Sequence, residues 1–384
     1  MRLPPAGLRY ADPVRILFTR FPLESRHGGA EVQTLSLMRG LRERGHTIHF
    51  LGSCPVLLEL CRKEGIAVTE LSVGTPPVTK WGVLSFLWRK GQIKRALEQA
   101  AEEAGGSDVI CMLSLSEKLL LTESATKRGS RVFWIEHDRI GRWLTMNPWL
   151  SMLRRQSRFA TTICVSELSK KMYLNLGWSE EKTVEIPNGV ESARFENNAS
   201  AASNESTALR LGTVARLTHD KGVDALVEAV SNLSDTSLTI TGTGPEEFPL
   251  RALIAKKRMG DRTAILLSFS DLSLFYQSLD IFILPSRDHD PFGLVAAEAM
   301  LCGIPVIVTD ACGIAGYLTD GTDALVVKAD DAAALAEAIS SLRDPAVRKQ
   351  IAERGQKTAQ EKFSLGKMVD RYENLFTVET HTRS

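Results

Sequence analysis

Two doubly wound parallel-sheet α/β domains are the fold that this sequence predicts, and three observations lead there. Short apolar runs alternate with helix-like stretches along both halves of the chain, the pattern of parallel sheets covered by helices on both faces. The chain has 384 residues, 43% of them hydrophobic, whereas single cores seldom grow beyond ~250 residues. The alternation also breaks just after Pro187-Asn188-Gly189. The expected division is therefore a first domain over 1–188, a second over 189–364, and a last helix over 365–384 that packs back on the first domain.

In the first half, strands are expected near 14–18, 47–51, 67–71, 108–113, 131–136, 161–165 and 183–187. Val14-Arg-Ile-Leu-Phe18 leads, and Ala30 to Arg44 reads as a helix ended by Gly45. Gly28-Gly29 between them leaves room for a phosphate or sugar against the helix N-terminus, unless the turn alone requires them. His27 stands beside them, within reach of an acceptor or a phosphate. His137 follows Val132-Phe-Trp-Ile-Glu136 at the carboxyl end of a central strand, where such sheets bind ligands. A purely structural histidine is the competing reading.

In the second half, strands are expected near 210–215, 236–241, 263–268, 281–284, 305–308 and 324–327. Residues 196–208 are polar and low in complexity and read as an excursion from packed structure. In Leu209 to Ala229 a strand leads through a polar turn to an amphipathic helix, with Arg216 and Lys221 flanking the turn. Two cations at the carboxyl edge of a sheet offset the charge of a diphosphate. As ordinary surface residues they would oppose the helix dipole. In Ser237-Leu-Thr-Ile-Thr-Gly-Thr-Gly-Pro245, Gly242 and Gly244 let backbone approach a ligand closely. The third glycine and the following acid of a dinucleotide fingerprint are absent, which argues against a nicotinamide or flavin cofactor.

Pro285-Ser-Arg-Asp-His-Asp-Pro-Phe-Gly-Leu-Val-Ala-Ala-Glu298 carries the most information. The strand Ile281-Phe-Ile-Leu284 leads to a helix over Leu294–Leu301 capped by Gly303. The backbone N–H groups of Phe292, Gly293 and Leu294, with the positive end of the helix dipole, suit a diphosphate. Asp290 and Glu298, eight residues apart, can each accept hydrogen bonds from hydroxyls on a different side of it. The plainer reading makes Asp290 a helix cap and Glu298 a solvated charge.

Taken together these motifs resemble glycosyltransferase family 4, over residues 14 to 376. The likeness rests on Asp290-x7-Glu298, on Gly212-x4-Arg216-x4-Lys221-Gly222, on Gly28-Gly29-Ala30-Glu31, on Glu136-His-Asp138 and on Val184-Glu-Ile-Pro-Asn-Gly-Val190. It implies the GT-B fold, two Rossmann-like domains facing a cleft, and transfer of a hexosyl group with retention from a nucleoside-diphosphate sugar to a sugar, a lipid-linked or another anionic acceptor in envelope or polysaccharide synthesis. It further implies that His137 orients the transferring sugar and stabilises its charge, that Arg216 and Lys221 take the diphosphate, that Asp290 meets the donor sugar and that Glu298 meets the ribose. Gly28, Gly29, Gly242, Gly244, Phe292, Gly293 and Leu294 would line the donor. No obligatory metal or other cofactor is expected. The family's first acid is glutamate, one methylene longer than Asp290. The segment Ile265 to Tyr276 is shortened and lacks the glycine usual before the base-binding loop, so the base stays open. A sugar-nucleotide epimerase on the same fold and a non-catalytic binding subunit are the rival readings.

Six cysteines without metal-ligand spacing suit a reducing cytosol. No apolar run spans a bilayer and the N-terminus lacks a signal-like core, so a cytoplasmic protein is expected. Residues 1–180 carry 26 Lys and Arg against 17 Asp and Glu, or +9, whereas 181–384 carry −8. With Lys80 to Lys90 and Trp143 to Arg155, where tryptophans neighbour cations, this basic half suggests peripheral contact with an anionic membrane on its inner face. The alternative is that Trp81, Phe86, Leu87 and Trp88 fill the core or line the acceptor cleft. Nothing suggests nucleic acid.

Overall fold

The computed structural model describes residues 12–22, 28–138, 140–192, 195, 208–269 and 271–377. His27 and all but Ala208 of the 196–208 stretch lie outside them. The chain forms two units. The first takes in the chain as far as Val165, then Ser169–Ile186 and the segment from Leu365 onward; the second is Ser166–Leu168 with Pro187–Ser364.

Among the described residues, the first unit contains β1 (Arg15–Arg20), β2 (Thr47–Gly52), β3 (Ala67–Glu70), β4 (Val109–Met112), β5 (Arg131–Glu136), β6 (Thr161–Cys164) and β7 (Thr183–Glu185). They form one sheet in the order β3-β2-β1-β4-β5-β6-β7, with every neighbouring pair parallel. Side chains alternate between faces along a strand, so a sheet covered on both sides needs unbroken apolar runs. Ile16, Phe18 and Phe133 accordingly enter one core, and Leu17 and Trp134 enter the other.

The Leu365–Thr377 helix belongs to this unit. Its buried stripe of Met368, Val369, Tyr372 and Phe376 has helical spacing and joins the first core. Gly40 makes room for it, since a Cβ there would come within 2.6 Å of Val369 Cγ2. Arg44 donates to Glu373 Oε2 at 2.5 Å, and Arg131 caps the helix end by donating to the Leu375 carbonyl at 2.7 Å.

The second unit contains β8 (Leu209–Val214), β9 (Thr236–Thr241), β10 (Thr263–Leu266), β11 (Ile281–Leu284), β12 (Val306–Thr309) and β13 (Leu325–Val327). Their order is β10-β9-β8-β11-β12-β13, again parallel throughout. Every strand expected from the residue runs forms within two residues of its expected ends. Both sheets reverse direction beside their first strand, at β1/β4 and at β8/β11. The carboxyl ends of strands at such a reversal are where open α/β sheets take ligands.

Candidate functional site

In the second unit the loop after β11 carries Asp290, which is buried and stapled on both sides. Its N–H donates to the Ala311 carbonyl at 2.9 Å, its own carbonyl accepts from Gly313 N at 2.9 Å, and the Phe292 carbonyl accepts from Ile314 N at 2.6 Å. Asp290 Oδ2 accepts from Lys221 Nζ at 2.6 Å and from Ser286 Oγ at 3.2 Å, and Oδ1 accepts from Phe292 N at 3.3 Å. Burial alone would raise this carboxyl. The charge of Lys221 and the three hydrogen bonds hold it below its ordinary value instead.

Lys221 ends the tight turn His219–Lys221. Gly222 follows at φ 61°, and a Cβ there would lie 2.2 Å from the Pro285 carbonyl. Only glycine lets this turn rest on the loop that holds Asp290. Arg287 fastens the same junction, donating to Asp224 at 2.7 Å, to Asp330 at 2.6 Å and to the His219 carbonyl at 2.7 Å.

Arg216 lies in the loop after β8 and is exposed. Its backbone neighbours are tied to the β9 loop, with Ala215 N donating to Thr241 O at 3.0 Å and Leu217 N to Thr243 O at 2.8 Å. A Cβ on Gly242 would lie 1.9 Å from the Ala215 carbonyl, and one on Gly244 would lie 2.2 Å from the Leu217 carbonyl. The glycine pair is thus explained by the close approach of these two loops. Among the described residues the Arg216 guanidinium makes no hydrogen bond or ion pair.

The Leu294–Leu301 helix forms over the expected residues. Gly293 caps it at φ 100°, where a Cβ would meet Leu284 Cδ2 at 2.8 Å. Phe292 is buried, its ring edge-on to Phe363 at 5.4 Å, and its N–H is taken by Asp290. Two of the three expected anion donors remain, the amides of Gly293 and Leu294. Glu298 is half-buried rather than a solvated charge, and it accepts from the Tyr276 hydroxyl at 2.7 Å. The shortened segment before β11 therefore ends in a residue that holds the second acid. Sequence reading gave Tyr276 no role.

In the first unit, Arg20 ends β1 and pairs with Glu31 at 2.7 Å, both side chains buried. Glu31 is the acid of Gly28-Gly29-Ala30-Glu31, so the motif holds the cation at the head of its own sheet. The helix begins at Gly29, one residue early, and its cap Gly28 has φ −140° and ψ 170°. Any residue adopts that backbone, so the turn by itself does not call for glycine there.

His137 follows β5 and is half-buried. Burial and the cations Arg20 and Lys118 push it down to about 4, against the pull of Asp138. Near neutral pH its imidazole is therefore uncharged. Its buried Nδ1 has no hydrogen-bond partner among the described residues. Next to it, Lys118 pairs with Glu136 at 2.8 Å, and Glu136 accepts from the Tyr173 hydroxyl at 2.8 Å. Glu117 is buried, and burial pushes it up to about 7. Sequence reading missed Arg20, Glu117 and Lys118. Glu117 had a legible signal in the capping box Ser114-x-x-Glu117, which the structure forms.

The structure thus brings Arg216, Lys221, Asp290, Gly242, Gly244, Phe292, Gly293, Leu294 and Glu298 into the second unit, and places Gly28, Gly29 and His137 in the first.

Two parallel open sheets with such loops at their carboxyl edges define a Rossmann-like two-domain protein. Residues 27–194 match the model of Glycosyltransferase Family 4, and residues 195–358 match that of Glycosyl transferases group 1. The chain belongs to this family and is a glycosyltransferase. It is 29% identical to the lipopolysaccharide core biosynthesis glycosyltransferase LpsD of Rhizobium meliloti, over 65% of this chain and 72% of that protein. It is 27% identical to the lipopolysaccharide core biosynthesis mannosyltransferase LpcC of Rhizobium leguminosarum, over 74% and 79%. Against LpsE of Rhizobium meliloti the match is 30% identical but spans only 52% of this chain and 59% of that one. Among solved structures, Anabaena Alr3699/HepE in complex with UDP superposes with a TM-score of 0.81 at 20% identity, over 95% of this chain and all of that one. That likeness concerns the fold.

Proposed function

We propose that this protein is a retaining hexosyltransferase that takes its sugar from a nucleoside diphosphate and passes it to a sugar or lipid-linked acceptor in lipopolysaccharide or related envelope synthesis on the cytoplasmic side of the membrane. The observation that carries the reading is the buried Lys221–Asp290 pair at 2.6 Å beside the head of the Leu294–Leu301 helix. The relatives named for lipopolysaccharide core biosynthesis support the acceptor class. The neighbour bound to UDP supports the donor class.

Cleavage of a sugar–diphosphate bond leaves negative charge on the departing phosphate, so cations and N–H dipoles already in place lower the barrier. Arg216 and Lys221 supply the cations, and the amides of Gly293 and Leu294 supply the dipoles. Asp290 holds the Lys221 side chain in place through their contact at 2.6 Å. In the front-face scheme, a phosphate oxygen of the leaving group takes the proton from the acceptor hydroxyl. The bond from the anomeric carbon to phosphate breaks as the bond to the acceptor oxygen forms on the same face, which retains configuration. Glu298, held by Tyr276, accepts from ribose hydroxyls. His137 is a neutral hydrogen-bonding group for a sugar hydroxyl.

A thermal-shift screen of nucleoside-diphosphate sugars tests the donor, and NMR of the product tests the anomeric configuration. One donor should raise the unfolding temperature and yield a retained linkage. Inversion of configuration, or conversion of the donor alone into another sugar nucleotide, would sink the reading.

A further inference from the structure

We propose that the outer face of the Lys80–Glu103 helix docks the first unit on an anionic lipid bilayer. One side of this helix is core. Phe86, Ile93 and Leu97 are buried, and Phe86 meets the Trp149 ring edge-on at 5.2 Å. The opposite side carries Trp81, Leu84, Leu87 and Trp88, which are 81%, 50%, 48% and 84% exposed. Trp81, Leu84 and Trp88 lie within about 60° of one another around the helix axis. A helix lying on a water-soluble domain places polar residues on that side. An apolar stripe with two tryptophans facing water there marks a contact surface. Of the residues considered as core from sequence, only Phe86 is buried.

Charge selects the occupant. Between Glu70 and Glu98 the chain has five cations, Lys80, Arg89, Lys90, Lys94 and Arg95, and no acid. Arg89 is committed to the carbonyls of Val73 at 2.8 Å and Thr75 at 2.9 Å, and Lys90 sits over the Trp149 ring at 5.7 Å. Lys80, Lys94 and Arg95 are exposed cations around the stripe, Lys94 lying 3.8 Å from Glu98 and Arg95 Nε donating to the Gly91 carbonyl at 3.3 Å. Indoles with lysine and arginine beside them match the headgroup layer of a membrane, where the ring is half-solvated and the cation meets phosphate. A second copy of this chain would bring the same cations against themselves, which disfavours a symmetric contact. No described helix is long and apolar enough to cross a membrane, so the attachment is along the surface. In the stretch Trp143 to Arg155, Trp149 is packed on Phe86 and Arg155 pairs with Glu123 at 3.2 Å, so these two add little to the contact face.

Co-sedimentation of the full chain with vesicles of phosphatidylcholine alone, or mixed with phosphatidylglycerol, tests this at low and high salt. Binding should need the anionic lipid, weaken with salt and shift tryptophan emission to the blue. The Trp81→Ser/Trp88→Ser variant should bind roughly tenfold more weakly or worse, and Lys80→Gln/Lys94→Gln/Arg95→Gln should lose most of the salt dependence. Both should keep the wild-type unfolding temperature. Equal binding to both vesicle types, undiminished binding by the tryptophan variant, or a concentration-dependent dimer that the tryptophan variant abolishes without any vesicle binding would each overturn the proposal.

Discussion

Lys221 and Asp290 lie 69 residues apart in the chain, yet the ammonium donates to the carboxylate at 2.6 Å with both side chains largely buried. Residues that the motifs assign to different parts of a donor are one ion pair in the fold. Either substitution therefore disturbs the partner as well as the chemistry.

Removing one member of such a pair leaves a buried charge without compensation, a cost of about 3–5 kcal/mol. Lys221→Met and Asp290→Asn should each lower stability, and the double variant should lose clearly less than the sum. Because Asp290 is held below its ordinary value, its contribution is present above about pH 4 and is lost as pH falls further. Additive losses in a urea denaturation cycle would show that the two side chains do not depend on each other.

Arg216 offers the cleaner test of catalysis, since among the described residues its guanidinium has no partner to lose. Arg216→Ala should cost ~2–4 kcal/mol of transition-state stabilisation with the unfolding temperature unchanged. Turnover within threefold of wild type would count against any role on the leaving group, since threefold is only about 0.6 kcal/mol.

Gly242→Ala and Gly244→Ala should destabilise the fold by about 2 kcal/mol or more, because each new methyl meets a carbonyl of the neighbouring loop. Gly28→Ala should leave stability nearly unchanged, since its backbone is extended. Thermal unfolding separates the two cases. Equal, small shifts for all three variants would mean that the second unit's loops relax without strain.

Glu117 should make the fold less stable as pH rises. Its folded carboxyl is pushed up to about 7, so from roughly pH 4.5 to 7 the folded chain keeps a proton that the unfolded chain has released. Stability is highest below that window and falls across it, by up to about 3 kcal/mol. Glu117→Gln keeps an acceptor for the Ser114 N–H, bonded at 2.7 Å, and removes the titration. Identical pH profiles for variant and wild type would show that Glu117 does not titrate there.

The strands were legible because a parallel strand buried on both faces must be apolar throughout, as Ile281–Leu284 is. The Leu294–Leu301 helix was legible from its preceding turn and from Gly303 beyond it. Contacts across loops were not. Nothing near Gly242 announces the Ala215 carbonyl, and nothing near Lys221 announces Asp290, because both pairings come from strand order rather than from neighbours in the chain. Arg20 was missed for the same reason, since an arginine ending a strand has no local mark of being buried against Glu31. The exposed tryptophans were ambiguous from sequence because both faces of their helix are apolar, and only the packing of Phe86 tells inside from outside.

The return of the Leu365–Thr377 helix to the first unit bears on how the chain is made. The second unit is an insertion within the first, so during synthesis the insert has all its residues before its host does. Until residues 365–377 emerge, the first core lacks Met368, Val369, Tyr372 and Phe376, and Arg44 and His46 lack Glu373. The nascent first unit then presents an open apolar surface while the insert can already close. Order of completion thus runs against order of translation, and a chain cut at Ser364 would forfeit the closing piece of the unit that was begun first.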